Sequence, residues 1–248
     1  MWRISFDFWD RWHELYNQFG NLQSHSPYRG PGHWPDADML PLGHLKTWET
    51  NNYTKFTRDE QFTVITLWSI ARSPMIMGGH MPDNDEFTLG LMTNDEVIAV
   101  NQASTNNKQL FNTNNQVAWV ADVPRSKEKY VALFNTSPAP PPGAGRRGPG
   151  GFGGPGGPGG QGLAPTNAPG AAPTNIPVVN AATNAPVAEN PAAKLPVKIA
   201  VSLAEIGLSG DCAVRDLWAR RDLGTANDEV SAMVNSHGAV LLKVTPRN

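Results

Sequence analysis

The sequence predicts an α/β unit followed by an all-β unit. Three observations carry that expectation: helix-like and strand-like patterns alternate over the first hundred residues, short β-type runs replace them from about Asn107, and the composition breaks between Pro138 and Pro196. With 248 residues, 40% of them hydrophobic, the chain is long enough for one large domain or two of ordinary size around a real core.

The first pattern is "DFWDRWHELYNQF", where Trp9, Trp12 and Tyr16 at i, i+3 and i+7 predict a helix over 7–19. Thr57-Arg58-Asp59-Glu60 has the capping-box form. The "QFTVITLWSIARS" that follows carries Phe62, Ile65, Trp68 and Ile70 at helical spacing, a helix of about four turns. Ser73-Pro74 stops it, because the residue before proline avoids helical dihedrals. "MIMGG" at 75–79 then reads as a short buried parallel strand. A further helix is expected over 85–101, with Phe87, Leu91, Ile98 and Val100 on its buried face. Such alternation implies βαβ units and a parallel sheet, and at about 30 residues per unit residues 1–102 hold about three.

From Asn107 the runs "QVAWVADV", "KYVALFNTS", "VKIAVSL", "DCAVRDLWA" and "GAVLLKVTP", each bounded by turn residues, predict a small antiparallel sandwich over 103–248. Residues 138–196 interrupt it with more than half of all the glycine and proline in the chain. Too poor in apolar side chains to offset its ordering entropy, this tract reads as a disordered linker or an overgrown loop; a sticky ligand-binding surface is the alternative.

A net charge of −2 and a pI near 6.3 provide no basic field for nucleic acid or an anionic membrane. No apolar run approaches the roughly 18 residues of a membrane span. Cys212 stands alone, which excludes a disulfide scaffold. The first residues lack the basic head and apolar stretch of a secretory signal.

Chemistry is expected where parallel strands end and loops begin. Asp36 and Asp38, in "RGPGHWPDADML", fall at such a place, and so does Asp7 with Arg3 four residues before it. Paired carboxylates there suit glycosidic cleavage, one to protonate the leaving oxygen and one to stabilise the anomeric carbon. Each has a plainer reading: a helix N-cap for Asp7 and turn chemistry for Asp36-Ala37-Asp38. Asp-x-Asp is also a possible Mg²⁺ or Mn²⁺ clamp. His33 and His80 are loop imidazoles or bases, and Trp34 and Trp48 are sugar platforms or packing.

"WRISFDFWDRW", "GPGHWPDADMLPLG", "FTVITLWSIARSPMIMGG" and "LMTNDEVIAVNQ", in that order and followed by "VRDLWARRDLG" and "HGAVLLKVTP", resemble glycoside hydrolase family 27, the α-galactosidase or melibiase type. The resemblance covers nearly everything except the Gly/Pro-rich tract. It implies a (β/α)₈ barrel followed by an antiparallel β-domain, and hydrolysis of terminal α-galactosides with retention, with no metal and no cofactor. On this resemblance residues 1–102 are the C-terminal portion of the barrel. Asp7 is the acid/base, Arg3 and Asp38 contact the sugar with Met39 as the apolar neighbour, and Trp34 and Asp36 are structural support.

The family's nucleophile motif has no counterpart in these residues. About five βα units are therefore expected to be missing, and the chain is expected to be inactive alone and prone to associate with the missing barrel half or with itself. A passive carbohydrate-binding module and a split-barrel interaction fragment are the rival readings. A periplasmic or secreted location is expected from the family only.

Overall fold

The computed structural model describes residues 1–46, 52–140 and 195–247. Three segments run parallel: β1 (Trp2–Arg3) pairs with β2 (Pro35–Asp36), and Leu40 bridges Met77 in the same sense. Helix α1 (Trp12–His25) connects the first two, and α2 (Arg58–Ala71) lies between the second and third. Helices α3 (Glu86–Met92) and α4 (Asp95–Ala103) follow the third. This is the predicted βα succession of a partial barrel. The expected strand at 75–79 shrinks to the bonds Leu40 N–H to Ile76 O (2.8 Å) and Gly78 N–H to Leu40 O (2.9 Å). Pro41 and Pro74, which have no amide hydrogen, bar the ladder from extending.

Two helices depart from expectation. Helix α1 begins at Trp12 rather than at residue 7, because Glu14 Oε2 reaches back to the Trp9 amide (2.5 Å) and the Phe8 amide is spent on Asp38. Its buried stripe is Leu15, Phe19 and Leu22, displaced from the tryptophan register, and Trp9 stays exposed outside it. The helix expected over 85–101 is two. Asn94 breaks it, its Oδ1 accepting from the amides of Glu96 (3.1 Å) and Val97 (3.3 Å) while its Nδ2 donates to Leu217 O (3.0 Å).

Helix α2 starts with the predicted capping box: the Glu60 amide donates to Thr57 Oγ1 (3.2 Å) and the Thr57 amide to Glu60 Oε2 (2.9 Å). It ends at Arg72 in the left-handed region (φ 59°), with Ser73 and Pro74 beyond. Twelve of its fourteen residues are buried, so it has no solvent face and the apolar stripe read from the sequence is only part of its contact surface.

The remaining strands are β3 (Thr105–Thr113), β4 (Gln116–Asp122), β5 (Lys129–Asn135), β6 (Val197–Ser202), β7 (Cys212–Asp216), β8 (Arg221–Ala226), β9 (Glu229–Val234) and β10 (Ala239–Pro246). They form an antiparallel sheet in the order β3-β4-β5-β10-β7-β8 and a two-stranded partner, β6-β9. The large sheet is buried on both faces along its centre. Val117, Trp119, Ala121, Ala132, Phe134 and Leu241 point to the helices, and Ala118, Val120, Val131, Leu133, Val240 and Leu242 point to β6-β9. Strands β3, β8 and β9 are not among the predicted runs: β3 and β8 are polar or largely exposed, and β9 has only two fully buried residues. The Gly/Pro-rich tract joins β5 to β6; its residues 141–194, on which the linker expectation falls, lie outside the described residues.

The loop 235–237 seats the sandwich on the helices. Asn235 Nδ2 donates to both oxygens of buried Asp59 (3.3 and 3.4 Å), and His237 Nδ1 lies 2.8 Å from Glu60 Oε1 with its ring stacked on Trp12 at 3.5 Å. Burial pushes the Asp59 carboxyl up to about 7, which its bond to Asn235 only partly offsets.

Thr57→Ala removes the cap and should cost about 1 kcal/mol in denaturant unfolding with an unchanged m-value. The folded chain keeps a proton on Asp59 that the unfolded chain releases near pH 3.8, so stability should fall as pH rises from about 4 to about 7 and level off above. Thermal melts across that range should show the slope, and Asp59→Asn should flatten it.

Candidate functional site

The ends of β1 and β2 bring three of the sequence candidates together. Because Arg3 pairs with Asp36 in register, its side chain lies over the turn that follows β2. The Arg3 guanidinium sits between two carboxylates: its Nη2 is 2.5 Å from Asp38 Oδ2 and 3.4 Å from Asp7 Oδ1. They differ in setting, with the Asp7 side chain 76% exposed and that of Asp38 7%. Asp7 is not a helix cap, since the N-cap of α1 is Arg11, and its carboxylate faces solvent beside a cation.

Asp38 is fixed from several sides. Its Oδ2 also accepts the Phe8 amide (2.8 Å), its carbonyl accepts the indole N–H of buried Trp68 (3.1 Å), and its own amide donates to Asp36 Oδ1 (2.9 Å). The backbone there is left-handed, with φ at 85°, a region aspartate tolerates better than most residues when local hydrogen bonds hold it. Among the described residues Asp38 Oδ1 has no hydrogen-bond partner, so one oxygen of a rigidly held carboxylate is open to a ligand hydroxyl. The Asp-x-Asp pattern is thus a turn and an ion pair: Asp36 holds the loop and Asp38 meets Arg3.

Met39 is half exposed beside this pair. Trp34 lies under the Arg72 guanidinium, 4.1 Å from ring centroid to Cζ, and Arg72 in turn donates to the carbonyls of Asn101, Gln102 and Ser104 (2.8, 2.8 and 2.7 Å). Its packing is therefore with the end of α4. His33 sits in an exposed tight turn closed by reciprocal backbone bonds with Gly30, and His80 lies on a different loop, next to Asp83. Trp48 lies outside the described residues. A cavity of about 180 Å³ between α1 and the β3–β4 hairpin is lined by residues including Tyr16, Phe19 and Val117, and by none of Arg3, Asp7 or Asp38.

The sequence does not disclose the supports of Asp38. Trp68 is thirty residues on, in a helix where a tryptophan reads simply as core, and Phe8 acts through its amide. Ser73, whose Oγ accepts the Ala37 amide (3.0 Å), is equally silent.

Residues 1–103 match the family model described as Alpha galactosidase A, and residues 176–244 match the Alpha galactosidase C-terminal beta sandwich domain. The chain belongs to glycoside hydrolase family 27. The family β-L-arabinopyranosidase of Geobacillus stearothermophilus is 32% identical with a TM-score of 0.73, over all of this chain and 46% of that one. The α-galactosidase of Cyamopsis tetragonoloba is 24% identical over all of this chain and 45% of its own length. Alpha-galactosidase D of Emericella nidulans is 33% identical over 101 residues, 14% of its length. The chain thus spans less than half the length of these family 27 relatives.

The same substitution at two buried tryptophans should separate support from mere packing. Trp68→Phe leaves the Asp38 carbonyl without its donor and should cost about 1–3 kcal/mol. Trp119→Phe removes an indole N–H that has no partner among the described residues and should cost less. Denaturant midpoints of the two variants compare them directly.

Proposed function

We propose that this chain supplies the acid/base half of a retaining glycosidase that releases terminal α-linked galactose, with Asp7 as proton donor and Arg3 and Asp38 as sugar contacts. The observation that carries the reading is the pairing of an exposed carboxylate with a guanidinium that also grips a buried one. An exposed carboxyl can protonate a leaving oxygen and afterwards take a proton from water. A carboxylate held by Arg3, the Phe8 amide and Trp68 is preorganised to accept hydroxyl groups.

Retaining hydrolysis needs a second carboxylate about 5 Å from the first, as the nucleophile. Nothing in these 248 residues corresponds to the family's nucleophile motif, so the chain alone should be inactive. The likeness to an arabinopyranosidase favours a sugar class wider than galactose, since β-L-arabinopyranose is the same ring without the hydroxymethyl group. Association is the second reading: Phe6, 90% exposed beyond β1, and the exposed Ile76 and Met81 around the third parallel segment suit a surface that further barrel units cover.

The test is a chromogenic α-galactoside assay on this chain and on the same chain joined to the five missing βα units of a family 27 relative. The joined protein should turn over, and Asp7→Asn should lower kcat by about 10²–10⁴, with azide restoring part of the rate. Turnover by the 248-residue chain alone would overturn the missing-nucleophile reading. Unchanged activity in the Asp7→Asn protein would remove Asp7 from its role.

A further inference from the structure

Beyond Asp38 the chain builds a second cluster that plays no part in the chemistry above. The segments paired at Leu40 and Met77 run outward side by side, and the His80 amide donates to the His44 carbonyl (2.7 Å). Gly79 permits this approach: a Cβ there would lie 2.0 Å from the Leu42 carbonyl oxygen. The single turn Met81–Asp83 then folds back, the Asp83 amide donating to His80 O (3.2 Å). As a result Asp83 Oδ2 lies 2.9 Å from His44 Nδ1 and 2.8 Å from His80 Nδ1.

We propose that His44 Nδ1, His80 Nδ1 and Asp83 Oδ2 bind a divalent first-row transition ion of the zinc type, which clips together the loops that follow two neighbouring parallel segments. All the candidate ligand atoms lie within 4.8 Å of one another. Nδ1–Oδ2 separations of 2.8–2.9 Å match a cis edge of an octahedral set with bonds of about 2.0–2.2 Å, and the side chains must open by about half an ångström for a tetrahedral one. Two imidazoles and one carboxylate suit zinc, cobalt or nickel and leave further positions to water; calcium and magnesium prefer an all-oxygen set.

The surroundings fit a bound ion. The two rings are nearly perpendicular, at 87°, and meet through the same nitrogen type, and Tyr53 stacks on His44 at 4.9 Å to hold its orientation. The side chains of His80 and Asp83 are about two-fifths exposed, which leaves an entry path. Ligation needs the lone pair of each Nδ1, so the ring protons sit on Nε2 in the bound form. The alternative is a cluster with no ion, in which both Nδ1–H groups donate to one carboxylate oxygen. The clip is independent of the glycosidase reading and stands or falls separately.

The experiment is calorimetric titration of Zn²⁺ into the 248-residue chain after chelator treatment, with Mg²⁺ as comparison. His80→Ala and Asp83→Asn are run beside it, their folding checked by circular dichroism. One equivalent of Zn²⁺ should bind, Mg²⁺ should not compete, and each variant should weaken binding by at least the ~10–100-fold that even an outer-shell partner is worth. Replacement by Co²⁺ should give visible d–d bands that disappear in His80→Ala. Absence of stoichiometric Zn²⁺ binding, or binding that survives both substitutions, would overturn the proposal in favour of the hydrogen-bonded cluster.

Discussion

The enclosure of α2 is the constraint on which the rest depends. A helix buried all round must find partners inside the protein for the polar groups it carries, and several of them come from the sandwich. Thr63 donates to His237 O (2.7 Å), Thr66 accepts from Trp218 Nε1 (2.9 Å), and Asp59 accepts from Asn235. Those donors and acceptors sit on two parts of the sandwich, the loop 235–237 and the segment after β7, so satisfying the helix also fixes the seating of the sandwich. From the last turn of the same helix, Trp68 grips the Asp38 carbonyl. The positioning of one carboxylate at the barrel mouth is thereby tied to the packing of the whole chain.

Asp38 shows what such anchoring permits. A left-handed aspartate with a buried carboxylate is unfavourable in isolation, from both its backbone and its desolvated charge. Here the Phe8 amide and Arg3 share its Oδ2, and Asp36 occupies its amide. The neighbouring Asp7 has none of this support beyond the longer contact to Arg3, and stays exposed. Two aspartates joined to one guanidinium thus differ in exposure and in the number of bonds that hold them.

What the sequence discloses follows the range of the interactions. The box at Thr57–Glu60 is legible because its bonds are local. Strands β4, β5 and β10 are legible because burial on both faces makes them continuous apolar runs. Strands β3 and β8 are hidden, because pairing along the backbone leaves no mark when side chains face water, and β9 because it buries only Val230 and Val234 fully. The start of α1 is hidden for a related reason: the Phe8 amide is claimed by a carboxylate thirty residues away, which no local pattern records. The meeting of Arg3, Asp7 and Asp38 is legible only through motif resemblance, and the joining of His80 to His44 and Asp83 only through the fold.

The two-faced central sheet also bears on how this chain can diverge. Alternate residues of β4, β5 and β10 serve two different cores, so a substitution disturbs one of them, but the gain or loss of a single residue within a strand exchanges both at once. A change of residue type in these strands is therefore easier to absorb than a change of parity. Changes of length are confined to the joins, and the longest join in this chain, between β5 and β6, passes from one sheet to the other, where added residues shift the register of neither.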